Sequence, residues 1–299
     1  MRWNPVLRMG MAVAVVAMVA TACGEQESLD GDGAAPPYPV AENPQFEAGT
    51  TMAELSQAGR ITIGTKFDQP LFGLQGLDGQ LQGFDVEVGK IIAAGLGIEP
   101  TDIEWVQAPS GQREDLIQRG AVDMVLATYT INDRRRELIS FAGPYYTAGQ
   151  SLMVQSDNTT ITGPESLRAS GARVCSVQGS ASSDNILEYI DVAQQTLFDG
   201  YQKCADALRT GQVDAVTTDN VILLGFISQS DGAFKLVGDT FTDEPYGVGI
   251  TKGDVAFCEF VNGELTKAEE SGSYLQAWEA TAGAVTDEEP TLPQFDPCS

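Results

Sequence analysis

Short apolar runs alternate with helical periods along most of this chain, and that alternation predicts an α/β fold. Arg60 to Thr65 (RITIGT) and Ile103 to Val106 read as strands. Val122 to Ala127 is a continuous apolar run after Gly120, suited to a buried parallel strand. Between these, Phe84, Val88, Ile91, Ile92 and Leu96 recur at helical spacing, with Gly97 as a stop. Glu114 to Gln118 reads as a short helix. Gly73 to Gly83 lacks GxGxxG spacing and holds an Asp78-Gly79 turn, so a hairpin is expected rather than a phosphate loop. Strands alternating with helices call for a parallel sheet under covering helices.

The pattern then repeats. Ser151 to Gln155 is apolar and extended, carrying the chain into a second lobe. There Arg173–Val177 and Val213–Thr217 read as strands, and Ser182–Tyr189 and Cys204–Thr210 as helices. Gly247–Thr251 (GVGIT) reads as a strand, and Phe257–Trp278 as helical with a break near Gly272. If this last part returns to the first sheet, two lobes are joined by two crossings. Residues 58–147 and 246–299 would form one lobe, and residues 148–245 the other.

Residues 1–22 read as an export signal. Arg2 and Arg8 precede an apolar segment, Met9 to Ala22, that is short for a bilayer. Ala20-Thr21-Ala22-Cys23 before Gly24 resembles a bacterial lipobox, with Ala20 where Leu is usual. The resemblance implies that Cys23 is lipid-modified. Residues 23–57, rich in Gly, Pro and acids, read as a flexible tether.

Composition narrows the function. The 299 residues carry 17 Lys and Arg against 42 Asp and Glu, a net charge of −25. Such a surface excludes broad phosphate neutralisation, hence nucleic-acid binding, and adsorption to anionic lipid. The chain has no His, which excludes Ser-His-Asp and Cys-His catalysis and His metal sites. Nothing calls for a cofactor or metal. Besides Cys23 there are Cys175, Cys204, Cys258 and Cys298, with no CxxC spacing for zinc. Three disulfide connectivities are open in an exported chain. Cys175–Cys204 with Cys258–Cys298 is preferred because each closes a local loop, for roughly 3 kcal/mol each.

Candidate chemistry concentrates in Ser110 to Arg135, which holds Arg113, Thr128, Thr130 and Arg135. Strand ends in open α/β sheets are where ligands bind. Thr128, Thr130 and Arg135 follow directly on such an end, so hydroxyls and a guanidinium can converge on a small anion.

From Gly59 to about Trp278 the sequence resembles the polar-amino-acid solute-binding proteins of ABC importers, family 3. The resemblance rests on five motifs in order: IGTKFDQPLFG (63–73), GFDVEVGKIIA (83–93), GAVDMVLATYTINDRR (120–135), SVQGSASSDNI (176–186) and GQVDAVTTDN (211–220). TKFDQP and the QRED segment look most like the glutamate-binding lipoproteins. The family implies a two-lobed periplasmic-binding-protein-like fold of type II, a ligand in the cleft between lobes, closure about two hinge crossings, and delivery by a monomer to a membrane permease. It also implies residue roles. Arg135 would hold the ligand α-carboxylate, its planar fork matching that group bidentately. Thr130 and the backbone at Thr128 would assist. Asp219 would accept the α-ammonium beside Thr218. Ser180 and Ala181 would offer free N–H groups at a helix start. Ala181 stands where many relatives have Thr, and Asp68–Gln69 replace the usual aromatic. Lys66 stands where relatives that bind neutral or cationic side chains tend to place an acid, and this cation, with another at Arg113, would favour a second carboxylate.

The expected function is extracytoplasmic capture of L-glutamate, or else aspartate, for an ABC permease, with the membrane reached through the lipid anchor alone. Glutamine or another polar amino acid is the alternative ligand, and an amino-acid sensor domain the alternative role. Catalysis, known in rare relatives that dehydrate cyclic acids, is not expected, because proton transfer has no His and Asp219 faces the ammonium.

Overall fold

The computed structural model describes residues 38–286 and 289–299. The signal segment, Cys23 and the first part of the tether lie outside these residues. In the first lobe, Ile61–Thr65 pairs in parallel with Ile103–Gln107 on one side and with Met124–Val125 on the other. Glu244–Ile250 then adds antiparallel to Met124–Val125, and Ser140–Ala148 pairs antiparallel along its far edge. The sheet is therefore mixed, not purely parallel as the alternation suggested. The apolar run at 122–127 contributes only Met124–Val125 as strand, and Ala127 and Thr128 already turn toward the cleft.

A second five-stranded sheet forms the other lobe, in the order Gln195–Phe198, Val174–Val177, Ala215–Asp219, Gln150–Gln155, Phe234–Val237. Its first three strands are parallel, and Gln150–Gln155 runs antiparallel to both of its neighbours. The helix expected over 182–189 is shorter. It runs Ala181–Asn185 and continues as a 3-10 turn, Ile186–Glu188. The helix expected over 204–210 starts earlier, at Tyr201, and Tyr201, Cys204, Ala205 and Leu208 bury one face.

Two segments cross between the lobes. Gly149 separates Ser140–Ala148 from Gln150–Gln155, and residues 238–243 lead back to Glu244–Ile250. The crossings are bonded to each other, with Gln150 N–H donating to Thr242 Oγ1 (3.1 Å) and Phe241 N–H to Gln150 O (3.0 Å). They also pack tightly. A Cβ on Gly149 would lie 2.6 Å from Thr240 Cβ, so only Gly lets the two strands of the hinge meet.

Phe84 centres the first lobe's core, touching Phe72, Tyr145, Tyr146, Tyr274 and Trp278 in edge-on or tilted geometry. The helix it opens, Phe84–Gly95, is buried on nearly every side, between the sheet and helix Val255–Ser271.

One expectation needs correcting. The tether was expected to run unstructured to residue 57, but residues 38–58 pack onto the first lobe. Tyr38 is buried with its hydroxyl donating to Glu87 (3.0 Å), Phe46 stands edge-on to Phe260, and Thr51–Ala58 is a helix capped by the Thr50 hydroxyl. Tyr38, Met52 and Leu55 are buried in the first lobe's core, and Val40 and Phe46 pack against it. Both disulfides form, Cys175–Cys204 inside the second lobe and Cys258–Cys298 tying the C-terminal tail to the first.

Candidate ligand site between the lobes

The strand ends of both sheets face each other across the cleft. Ser110, Arg113, Thr128, Thr130 and Arg135 come from the first lobe, and Ser180, Ala181, Ser182, Tyr201, Thr218, Asp219 and Ile222 from the second. Together they line one small cavity of about 10 Å³. Of the nine ligand residues expected from sequence, eight line it. Lys66 does not. Its Nζ sits one layer back, donating to Ser110 Oγ at 2.9 Å. An ammonium can only donate, so Ser110 Oγ is the acceptor and its own hydrogen is left for the cavity.

Local structure explains each placement. Asn132 caps helix Asp133–Leu138 by accepting from Arg135 N–H, which roots Arg135 in the first turn. Its guanidinium reaches back to donate to Thr130 O and across the cleft to Gly179 O (3.3 Å). Arg113 opens helix Arg113–Gln118 and donates to Ala127 O (3.0 Å) and Ser110 O (3.2 Å). The two guanidiniums lie 4.1 and 4.9 Å from the Tyr129 ring centroid, in cation–π range. Thr128 has φ +45, rare for a β-branched residue, and its N–H is taken by Asp85 Oδ2 (2.7 Å). What the Thr128 backbone can offer a ligand is therefore its carbonyl.

In the second lobe Asp219 ends strand Ala215–Asp219. Its carboxylate accepts from Ser182 Oγ (3.3 Å) and, from the first lobe, Tyr246 OH (2.6 Å). Of the two N–H groups expected free at the helix start, that of Ser180 is bonded to Val177 O. The Ser180 hydroxyl caps Ser183 N–H, and Ala181 N–H remains. Gly179, at φ +77, lets this loop touch the other lobe. A Cβ there would lie 2.7 Å from Gly111 Cα.

Electrostatics set the site's preference. Lys66, Arg113 and Arg135 are 2%, 2% and 1% exposed. Burial and the neighbouring Arg113 push Lys66 down to about 7, and burial with Arg113 lowers Arg135 to about 10. Burial, aided by Glu244, raises Asp219 to about 7. Glu114 Oε1 stands 3.4 Å from Arg135 Nε, an ion-pair distance without a hydrogen bond between them. Asp85 and Glu114 offset part of this positive charge from behind, and the first-lobe face turned to the cavity still presents the donors of Arg113, Arg135 and Ser110, a wall complementary to an anion. Among the described residues no group of three or more metal-ligating side chains could hold a metal ion.

Residues that the sequence did not single out for the site are Ser110, Ser182, Tyr201, Ile222 and Tyr246. Ser110 stood beside Arg113 in the flagged segment; the others reach the cleft only through tertiary packing. The profile of the bacterial extracellular solute-binding proteins, family 3, matches residues 61–280. The chain belongs to that family. It is 38% identical over 272 residues to the glutamate-binding protein GluB of Corynebacterium efficiens, covering 88% of this chain and 85% of the relative. It is 36% identical over 225 residues to the glutamine-binding protein GlnH of Bacillus subtilis, covering 75% and 81%. A solved ancestral arginine-binding protein bound to glutamine superposes with a TM-score of 0.69 at 32% identity, over 74% of this chain and 96% of that one. Family membership accounts for the two-lobed type II fold and the cleft between its lobes.

Proposed function

We propose that this chain captures L-glutamate outside the cytoplasm and delivers it to an ABC permease. The observation that carries the reading is the burial of Lys66, Arg113 and Arg135 around one cleft whose opposite wall presents Asp219. An amino acid with two carboxylates and one ammonium matches that pattern. Arg135, with Thr130, takes the α-carboxylate, and Ala181 N–H completes its donors. Asp219, Thr218 and the Thr128 carbonyl take the ammonium. Arg113 and the Ser110 hydroxyl, backed by Lys66, take the distal carboxylate. Similarity to GluB supports glutamate, and similarity to GlnH keeps glutamine as the competitor.

The remaining assignments belong to the same proposal. Residues 58–147 with 246–299 and residues 148–245 are the two closing lobes. A signal over residues 1–22 and lipid on Cys23 hold a monomer at the membrane's outer face, and no helix among the described residues is long and apolar enough to cross it. The cleft serves capture rather than turnover, because its carboxylate is engaged by the ligand ammonium.

Calorimetry with glutamate, glutamine and aspartate tests the ligand. Charge-assisted hydrogen bonds are worth about 1.5–3 kcal/mol and an unpaired buried donor costs about 1–3 more. Glutamate is therefore expected to bind at least about a hundredfold tighter than glutamine, with aspartate between them. Lys66→Asp should remove glutamate binding selectively. Equal affinity for glutamate and glutamine would overturn the anionic-ligand reading.

A further inference from the structure

Asp85 lies outside the cavity wall, yet it is fully buried and both of its oxygens are committed. It is the second residue of helix Phe84–Gly95. Oδ2 accepts from Thr128 N–H at 2.7 Å, and Oδ1 from Tyr145 OH at 2.6 Å. Thr128 is the cavity residue with φ +45. A β-branched side chain resists that conformation, so something must hold the backbone there. Immediately before this corner, Ala127 O accepts from Arg113 Nη1. The direction of the corner thus sets the aim of the Thr128 carbonyl and also the anchor of the Arg113 guanidinium.

We propose that Asp85 is the positioning residue of the ligand site: its carboxylate fixes the left-handed corner at Thr128 and, through that corner, the placement of Arg113. This rests on the reading of the cleft as an amino-acid site, but the corner itself is a property of the chain. The N–H groups of Phe84 and Asp85 donate to Leu71 O and Phe72 O, which ties the start of the helix to the preceding loop. The helix is itself locked between the sheet and helix Val255–Ser271, so the carboxylate is a rigid reference point.

Glycine adopts positive φ without strain, so Thr128→Gly makes the corner independent of Asp85. The test is a double-mutant cycle of Asp85→Ala and Thr128→Gly, read by L-glutamate calorimetry and by urea unfolding without ligand. Asp85→Ala alone is expected to weaken glutamate at least about tenfold. In the Thr128→Gly background the same change should cost less than about threefold. Asp85→Asn keeps an acceptor for Thr128 N–H and should bind within about threefold of wild type, which a role for the charge alone would not allow. Unfolding should show the same sign, Asp85→Ala costing less stability when residue 128 is Gly. If Asp85→Ala does not fold, recovery of folding by Thr128→Gly gives the same answer, and no recovery overturns the proposal. Equal losses in the two backgrounds overturn it, and so does an Asn variant as weak as the Ala variant. If the wild type takes up no glutamate, the ligand reading fails, and the unfolding cycle still decides the role of Asp85.

Discussion

Burial brings Asp85, Asp219 and Lys66 all toward neutrality, and of these Asp219 on the cavity wall and Lys66 behind it bear on the ligand with opposite consequences. Burial raises Asp219 to about 7 and lowers Lys66 to about 7. On the proposed assignment, Asp219 protonated below that pH would no longer accept the ligand ammonium, and Lys66 neutral above it would no longer support the distal carboxylate. Glutamate affinity should therefore peak near pH 7 and fall on both sides, while glutamine shows only the acid fall. Lys66→Met should abolish the alkaline limb. Calorimetry between about pH 5 and 9 checks it, and an alkaline fall that persists in Lys66→Met would remove Lys66 from the site. Without ligand, the linkage signs follow from the same shifts. Asp219 has a raised folded pKa, so its contribution is full below the unfolded value near 3.9 and is lost as pH rises through about 7. Lys66 has a lowered one, so the unfolded chain binds more protons between about 7 and 10.4, and stability from this group rises across that window.

Among the elements, helix Tyr201–Arg209 shows how the scaffold reaches the site. Its Cys204 is bridged to Cys175 on strand Val174–Val177, and Tyr201, one turn earlier, lines the cavity. The bridge closes a separation of 29 residues, for which the chain-entropy relation gives about 3.5 kcal/mol. Replacing both cysteines by Ser should lower unfolding free energy by about that amount. Denaturant titration reads it, and an unchanged midpoint would mean that packing of the helix face holds Tyr201 without the bridge. Elements with clear periods were legible in advance, as were Arg135 and Thr130, which follow a strand end. Strand Ser140–Ala148 was not, because SFAGPYYTA puts Gly and Pro in its middle. The register shift opposite Gly247, between Tyr246 and Val248, is what lets the pairing pass them. Helix Asn220–Ser228 was missed for the opposite reason: NVILLGFIS is apolar on almost every side, so it has no period to read. Residues 38–57 read as tether because composition outweighed the apolar side chains of Tyr38, Val40, Phe46, Met52 and Leu55.

Over the whole molecule the lobes are shut on each other. Tyr246 donates to Asp219, Arg135 to Gly179 O, and Asn185 to Glu244 across the hinge side of the cleft. The closed cavity has room for about one water molecule, so an amino acid enters only when the lobes part. The hinge permits this. Among the described residues only Gly149 and residues 238–243 connect the lobes, and neither disulfide spans them. On the proposed assignment, what closure gains from the ligand is contact with both walls at once, since Arg135 and Asp219 line the cavity from different lobes. The closed form is therefore favoured only by as much as the ligand binds it better than the open one. Small-angle scattering should report this as compaction on adding saturating L-glutamate, toward a radius of gyration of about 18 Å for a body of this length. Gly149→Val should reduce the compaction, because its Cβ would meet Thr240 in the hinge. Superimposable curves for the wild type, with saturation confirmed calorimetrically, would mean that the cleft admits its ligand without a hinge motion.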